Sequence, residues 1–192
     1  DYNGDGYADV MSVSAANAYL SLGSGSGGLA SPVSVSTRPP AGWNLAGAGD
    51  VNGDGKADVV WHNIASGEIY YWLMNGASIA GGQGASYLPV GSIALAVADF
   101  NGDGRVDVLS TTSQDTRVSI MGANGVYGAA TVVTGRPSSA WNFAGAGDIS
   151  GDGKADVVWH NLTSGELYYW VMDGTAIAGG QGLAYLPPGA AA

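Results

Sequence analysis

The sequence predicts an all-β protein, a β-propeller-type array of four-stranded blades. Three observations predict it. An acidic, glycine-bearing stretch, "DYNGDGYADV", returns as "DVNGDGKADV", "DFNGDGRVDV" and "DISGDGKADV", so that Asp1, Asp50, Asp99 and Asp148 stand 49 residues apart. Self-similarity at a period of roughly 20–50 residues marks solenoids, propellers and arrays. Composition agrees, since 33 glycines, 6 Trp and 10 Tyr with only 11% charged residues suit short strands and tight turns rather than helices. The repeat also has a second level. Trp43–Gly91 and Trp141–Gly189 agree at 36 of 49 positions, whereas the units starting at Asp1 and Asp99 share the acidic stretch but neither "VVWHN" nor "YYW". An aromatic-rich unit therefore alternates with a plainer one.

Within the rich unit the strands follow in order. "WNLAGAG" (Trp43–Gly49) leads into the acidic loop, and "ADVVWHN" (Ala57–Asn63) leaves it for the turn "IASG". "EIYYWLMNG" (Glu68–Gly76) is rich in strand formers and closes on an Asn-Gly turn. A weaker fourth strand is expected in "GQGASYLPV" (Gly82–Val90). Four strands in about 45–50 residues is the measure of one propeller blade. The expected blades are residues 1–42 (lacking the first strand), 43–91, 92–140 and 141–192. The closing "LPPGAAA" (Leu186–Ala192) aligns with "LPVGSIA" (Leu88–Ala94), just short of a strand that would precede a fifth loop. An absent strand leaves an open edge, and open edges recruit strands. Other copies of the chain, or further repeats of it, are the expected partners.

Charge narrows the function. The formal net charge is −10, but twelve of the sixteen acids lie in the four loops. Six scattered basic residues make no footprint for nucleic acid. There is no cysteine, which suits the cytosol or an exported protein stabilised by metal instead of disulfides. No run of about 18 apolar residues offers a helical membrane span.

The loops carry the chemistry. Aspartates at loop positions 1, 5 and 9, with Asn at 3, repel one another unless a cation sits between them. Every donor on offer is a hard oxygen, which suits Ca²⁺ and disfavours zinc or copper. Glycines at positions 4 and 6 supply backbone angles that other residues resist. Position 7 (Tyr7, Lys56, Arg105, Lys154) varies freely, as expected where only its carbonyl is used. An EF-hand is excluded because position 12, which should be Glu, is Ser12, Trp61, Ser110 or Trp159.

"AGAGDVNGDGKADVVW" resembles the FG-GAP/VCBS repeat, the blade unit of integrin-α-type β-propellers, and the likeness runs through essentially the whole chain. The resemblance implies that each loop joins the first two strands of its blade and holds one Ca²⁺, four in all. Carried over, the ligands are the side chains of Asp1, Asn3, Asp5 and Asp9 with the Tyr7 carbonyl. Next come Asp50, Asn52, Asp54 and Asp58 with that of Lys56, and Asp99, Asn101, Asp103 and Asp107 with that of Arg105. The fourth set is Asp148, Ser150, Asp152 and Asp156 with the carbonyl of Lys154. Ser150 departs from the Asn or Asp of the motif, so the fourth site is expected to be weaker or hydrated.

With a Kd of about 10 μM and extracellular Ca²⁺ of about 1 mM, linkage gives roughly 2.7 kcal/mol per site. Four sites would supply most of a domain's net stability of about 5–15 kcal/mol. Cytosolic Ca²⁺ would leave them mostly empty, so a secreted or cell-surface location is expected.

The second feature is aromatic: Trp61, Tyr70, Tyr71 and Trp72, copied as Trp159, Tyr168, Tyr169 and Trp170. Alternation turns Tyr70 and Trp72 one way and Tyr71 the other. These side chains either fill the wedge between blades or line a ligand pocket. The pocket candidates are Trp61, His62, Asn63 and Glu68 with their copies Trp159, His160, Asn161 and Glu166. No nucleophile elbow or metal triad is present, and the loop carboxylates are unsuited to acid–base work, so no enzyme is expected. Three readings remain: a calcium-stabilised extracellular module for adhesion or self-assembly, a carbohydrate-binding lectin propeller, and a non-catalytic appendage of a secreted enzyme.

Overall fold

A computed structural model describes residues 1–135 and 137–187. Arg136 and residues 188–192, which include most of the "LPPGAAA" register expectation, lie outside the described residues. The described chain is all-β, with fifteen strands in four antiparallel sheets. Sheet 1 has three strands, β1 (Val10–Val13), β2 (Asn17–Ser21) and β3 (Val33–Thr37). Sheet 2 has four: β4 (Trp43–Gly49), β5 (Asp58–Asn63), β6 (Glu68–Asn75) and β7 (Ser78–Tyr87). Sheet 3 is built from β8 (Ile93–Ala98), β9 (Asp107–Thr111), β10 (Asp115–Ser119) and β11 (Thr131–Gly135). Sheet 4 comprises β12 (Trp141–Gly147), β13 (Asp156–Asn161), β14 (Glu166–Asp173) and β15 (Ala176–Tyr185). Each sheet is a simple meander with neighbours in chain order, the topology of a propeller blade.

The middle strands show why the chain folds this way. β5, "DVVWHN", is buried along nearly its whole length because both of its faces are covered. Val60 packs towards sheet 3 with Ile69, Tyr71, Val108 and Met121. Val59 and Trp61 face sheet 1 with Leu20, Trp72 and Met74. Period-two alternation thus sends successive residues into two different cores. A third core, around Phe100, Leu109, Val118, Val157, Trp159 and Met172, joins sheets 3 and 4. Tyr71 faces one way and Tyr70 and Trp72 the other, as alternation requires. The first strands β4 and β12 both touch β8, so they line the inner side of the array. The array is open: among the described residues no sheet covers the far faces of sheets 1 and 4.

Two local details differ from the sequence reading. The fourth strand of the rich unit is longer than expected, because β7 runs Ser78–Tyr87 and pairs with β6 throughout, with two register shifts. Its glycines are steric requirements rather than breakers, for a Cβ on Gly82 would stand 2.4 Å from the Tyr71 carbonyl oxygen. The turn before it is also displaced by one residue. Asn75 pairs with Ser78, so Gly76 and Ala77 are the central residues. Gly76 has φ +56° and Ala77 has an ordinary negative φ, the pattern of a type II′ hairpin.

Candidate functional site

Acidic loops 2 to 4 join the first two strands of their sheets, loop 1 precedes β1 of the three-stranded sheet, and the four lie side by side. The position-8 amide of each loop donates to the position-1 carbonyl of the loop before it: Ala57 to Asp1 (2.7 Å), Val106 to Asp50 (2.8 Å) and Ala155 to Asp99 (2.7 Å). The position-7 side chain also reaches back, so that a Cβ on Gly102 would touch Lys154 Cγ at 3.3 Å.

Inside each loop the carboxylates are bonded to the backbone. In the second loop Asp50 Oδ1 accepts from the amides of Gly53 (2.7 Å) and Asp54 (3.2 Å), and Oδ2 from that of Gly55 (2.7 Å). Asp54 accepts from the Lys56 amide at 2.9 Å, and Asn52 Nδ2 donates to Asp54 at 3.2 Å. Loops 1 and 3 repeat this pattern, with Asn3 donating to Asp5 and Asn101 to Asp103. In loop 4 no such link is formed by Ser150, whose amide bonds to Asp156 at 2.8 Å. In loop 3 the Arg105 guanidinium pairs with Asp103 at 2.7 Å. Lys56 instead bonds to Asn75, and Lys154 to Asp173.

Position 9 behaves differently. Asp58, Asp107 and Asp156 are fully buried and clamp two strands. Asp58 accepts from the amides of Val51 (3.0 Å) and Met74 (2.8 Å), Asp107 from those of Phe100 (2.9 Å) and Met121 (2.8 Å). Asp9 takes the same place in loop 1, accepting from Tyr2 and Gly23. Burial pushes the carboxyls of Asp58 and Asp107 up to about 6, against the lowering effect of those amides, and the neighbouring loop carboxylates add to the rise. The described residues hold no ready-made group of three acidic or His side chains converged on one point. The donor set nonetheless fits a hard cation. Each loop offers only oxygens, and a carboxylate sits at its base, buried in loops 2 to 4 and half-buried in loop 1, with no cationic side chain bonded to it among the described residues.

The second candidate site is aromatic and occurs twice. Between sheets 1 and 2 lies an open pocket of about 330 Å³, lined by Thr37, Arg38, Pro39, Pro40, Trp43, Tyr70 and Trp72. Between sheets 3 and 4 lies its counterpart of about 280 Å³, where Pro137, Ser138, Trp141, Trp159, Tyr168 and Trp170 form the wall. The rings are held edge to face: Trp43 and Tyr70 are 6.3 Å apart at 83°, Trp141 and Tyr168 6.3 Å apart at 78°. Arg38 Nη2 donates to the Trp43 carbonyl at 2.8 Å, which fixes the proline-bearing linker against the aromatic wall.

A model of the FG-GAP-like repeat matches residues 1–61, 50–110 and 99–159. The chain belongs to the FG-GAP-like repeat family. No curated protein matches it. Among solved structures, an Agrocybe aegerita lectin described as specifically recognising non-reducing terminal N-acetylglucosamine superposes with a TM-score of 0.71 at 18% identity. The match covers 94% of this chain and 49% of the lectin chain, so this FG-GAP-like array spans about half the lectin's length. A chain of the Photorhabdus luminescens Tc holotoxin pore superposes with a TM-score of 0.59 at 14% identity, over 88% of this chain and 8% of that one. At these identities the likeness is one of fold.

Within the FG-GAP-like units, the residues singled out from the sequence are divided by the structure. Trp61 and His62 are buried, and burial lowers the His62 imidazole below its ordinary value. Asn63 caps the "IASG" turn, accepting from the amides of Ala65 and Ser66, as Asn161 does for Thr163 and Ser164. Glu68 and Glu166 follow those turns on the partly exposed first residues of β6 and β14. His160 is buried, while Trp159 reaches the second pocket from below. Trp61, His62, Asn63 and Glu68 therefore do not converge on a common cavity. Tyr70 and Trp72 do, with Trp43 and the linker prolines. The signal for the latter is the recurrence of a Pro-broken linker ending in Trp, "RPPAGW" at Arg38–Trp43 and "RPSSAW" at Arg136–Trp141.

Proposed function

We propose that this FG-GAP-like array is a calcium-stabilised, non-catalytic binding module that works outside the cell and takes saccharide rings in its two aromatic pockets. One observation carries the reading: the same Trp–Tyr–Trp wall, faced by the same kind of proline linker, opens at both plain-to-rich junctions. A wall of tilted indole and phenol rings offers apolar faces to the C–H groups of a pyranose. Arg38 lines the same pocket and offers donors for its hydroxyls. The lectin of similar fold supports the choice of ligand class. Calcium has the support of the oxygen-only donor set and the buried aspartates; an extracellular setting follows from the calcium level such sites need.

Titration with N-acetylglucosamine, galactose and glucose, followed by tryptophan fluorescence and calorimetry, tests the reading. Monosaccharide binding near a Kd of about 1 mM is expected, equivalent to about −4 kcal/mol. Trp72→Ala combined with Trp170→Ala should weaken it at least about tenfold, a loss of about 1.4 kcal/mol. Absence of any saccharide binding at about 10 mM, or binding indifferent to that double replacement, overturns the reading.

A further inference from the structure

The junction of sheets 2 and 3 differs from the other two, and its two halves recur uncovered on the outer sheets. On sheet 2 the face turned to sheet 3 carries Val51, Val60, Ile69, Tyr71, Ala85 and Leu88, all buried. Sheet 4 presents the counterparts Ile149, Val158, Leu167, Tyr169, Leu183 and Leu186 with no sheet of the described residues over them, so that Ala85 is 2% exposed but Leu183 44%. On sheet 3 the receiving face carries Val108 and Tyr127, 0% and 3% exposed, whereas their counterparts on sheet 1, Val10 and Leu29, are 46% and 56% exposed. One outer sheet thus has the donor face of a known junction, and the other has its acceptor face.

The polar contacts recur too. Tyr71 Oη and Gln83 Nε2 both donate to the Gly125 carbonyl, at 3.2 and 3.0 Å, and the Tyr127 amide donates to the Ala85 carbonyl at 3.2 Å. Sheet 4 repeats the donors as Tyr169 and Gln181. Sheet 1 repeats the turn at Gly27, whose φ of +78° matches the +76° of Gly125. The hollow for the neighbour is also ready. A Cβ on Gly49 would stand 2.4 Å from Val106 Cγ1, while the counterpart Gly147 has nothing within 4 Å. The residue matching Val106 on sheet 1 is Ala8, small enough to enter.

We infer that the open face of sheet 4 docks on the open face of sheet 1 of a second copy of this chain, in the arrangement by which sheet 2 packs on sheet 3. The Ala8 amide then meets the Asp148 carbonyl of the other copy, extending the loop-to-loop bonds already made by Ala57, Val106 and Ala155. The contact is head-to-tail, so it closes into a ring of two copies or grows into a chain according to the angle it imposes. Sheet 1 supplies three strands where sheet 3 supplies four. The strip beside Gly145 that β8 covers on sheet 2 therefore stays open, and the association is weaker than the internal junction. The inference is independent of the saccharide reading.

Sedimentation velocity of the whole chain from about 1 to 500 μM should show concentration-dependent association beyond the monomer. Val10→Asp and Leu183→Asp each remove one half of the contact at an exposed position. Each variant alone should be monomeric, and an equimolar mixture should form a dimer and nothing larger. A wild-type chain that stays monomeric throughout, a mixture that fails to pair, or single variants that still self-associate would overturn the inference. A second measurement does not depend on those variants. Gly49's Cβ would lie 3.4 Å from Val106 Cβ, a shift of about 0.1 Å from the disulfide range of about 3.5–4.5 Å, and the native chain has no cysteine. Mixed Gly147→Cys and Ala8→Cys chains should cross-link to each other on mild oxidation at least about tenfold faster than either does to itself. Equal rates would sink the assignment.

Discussion

Pseudo-symmetry allows a substitution to be compared with itself. Gly49 and Gly147 occupy the same place in sheets 2 and 4, and neither has a positive φ, so alanine suits both backbones. Their surroundings differ entirely. At Gly49 the added methyl would sit 2.4 Å from Val106 Cγ1 and 3.4 Å from both its Cβ and Cγ2, which forces the two sheets apart. Overpacking of this kind costs about 1–3 kcal/mol. At Gly147 the methyl meets nothing within 4 Å, and alanine there stabilises by about 0.4–1 kcal/mol through the unfolded chain. For a chain of this size 1 kcal/mol moves Tm by roughly 2–4 °C. Gly49→Ala should therefore melt about 2–12 °C below the parent, and Gly147→Ala level with it or up to about 4 °C above. Scanning calorimetry at low micromolar concentration, chosen to limit association between copies, provides the comparison. Equal shifts from the two substitutions would mean that sheets 2 and 3 are not packed as described.

Other consequences are open to measurement. Calcium at about 1 mM should raise Tm by roughly 20–40 °C, from four sites at roughly 2.7 kcal/mol each, and Asp54→Ala together with Asp152→Ala should remove about half of the gain; a Tm indifferent to chelator contradicts the calcium proposal. In chelator, acidity should act in the unusual direction. Asp58 and Asp107 hold their protons up to about 6 in the folded chain against 3.8 in the unfolded one, so the folded state binds more protons between these values. Their contribution is present below about pH 4 and lost as pH rises through 6, making the metal-free protein more stable at pH 5 than at pH 7.5 by about 1–2 kcal/mol in total. Calcium should reverse the trend, because cation and proton compete for the same oxygens. Finally, Trp61→Ala should cost about 3–5 kcal/mol in urea unfolding, as expected of a fully buried indole, while Tyr70→Ala should cost far less and act on saccharide affinity instead.

Much of this fold was written in period and alternation. The 49-residue spacing of Asp1, Asp50, Asp99 and Asp148 marks one hairpin per sheet, and "VVWHN" and "YYW" mark strands covered on both sides. What escaped has physical reasons. Propensity counts Gly81, Gly82 and Gly84 against a strand, yet cross-strand crowding by the Tyr71 carbonyl makes glycine the residue that fits at 82. Neighbours along the chain suggested a cavity of Trp61, His62 and Asn63. A strand sends Trp61 and His62 to opposite faces, and the open pocket is assembled across strands from Trp43, Tyr70, Trp72 and a linker. The motif also treats its five oxygens alike, whereas Asp58, Asp107 and Asp156 are tied into the sheet as strand clamps.

The alternation of junctions sets the grain size at which such a molecule is lengthened or cut. A single sheet is not an interchangeable brick. Excising residues 92–140 would press the glycine hollow of sheet 2, shaped for Val106, against the Trp141–Tyr168–Trp170 side of sheet 4. Gene duplication or engineering in steps of 98 residues, the offset from Asp50 to Asp148, keeps every face opposite its own kind of mate. Recombination in odd multiples of 49 breaks that matching, so viable length variants of this array should differ by whole pairs.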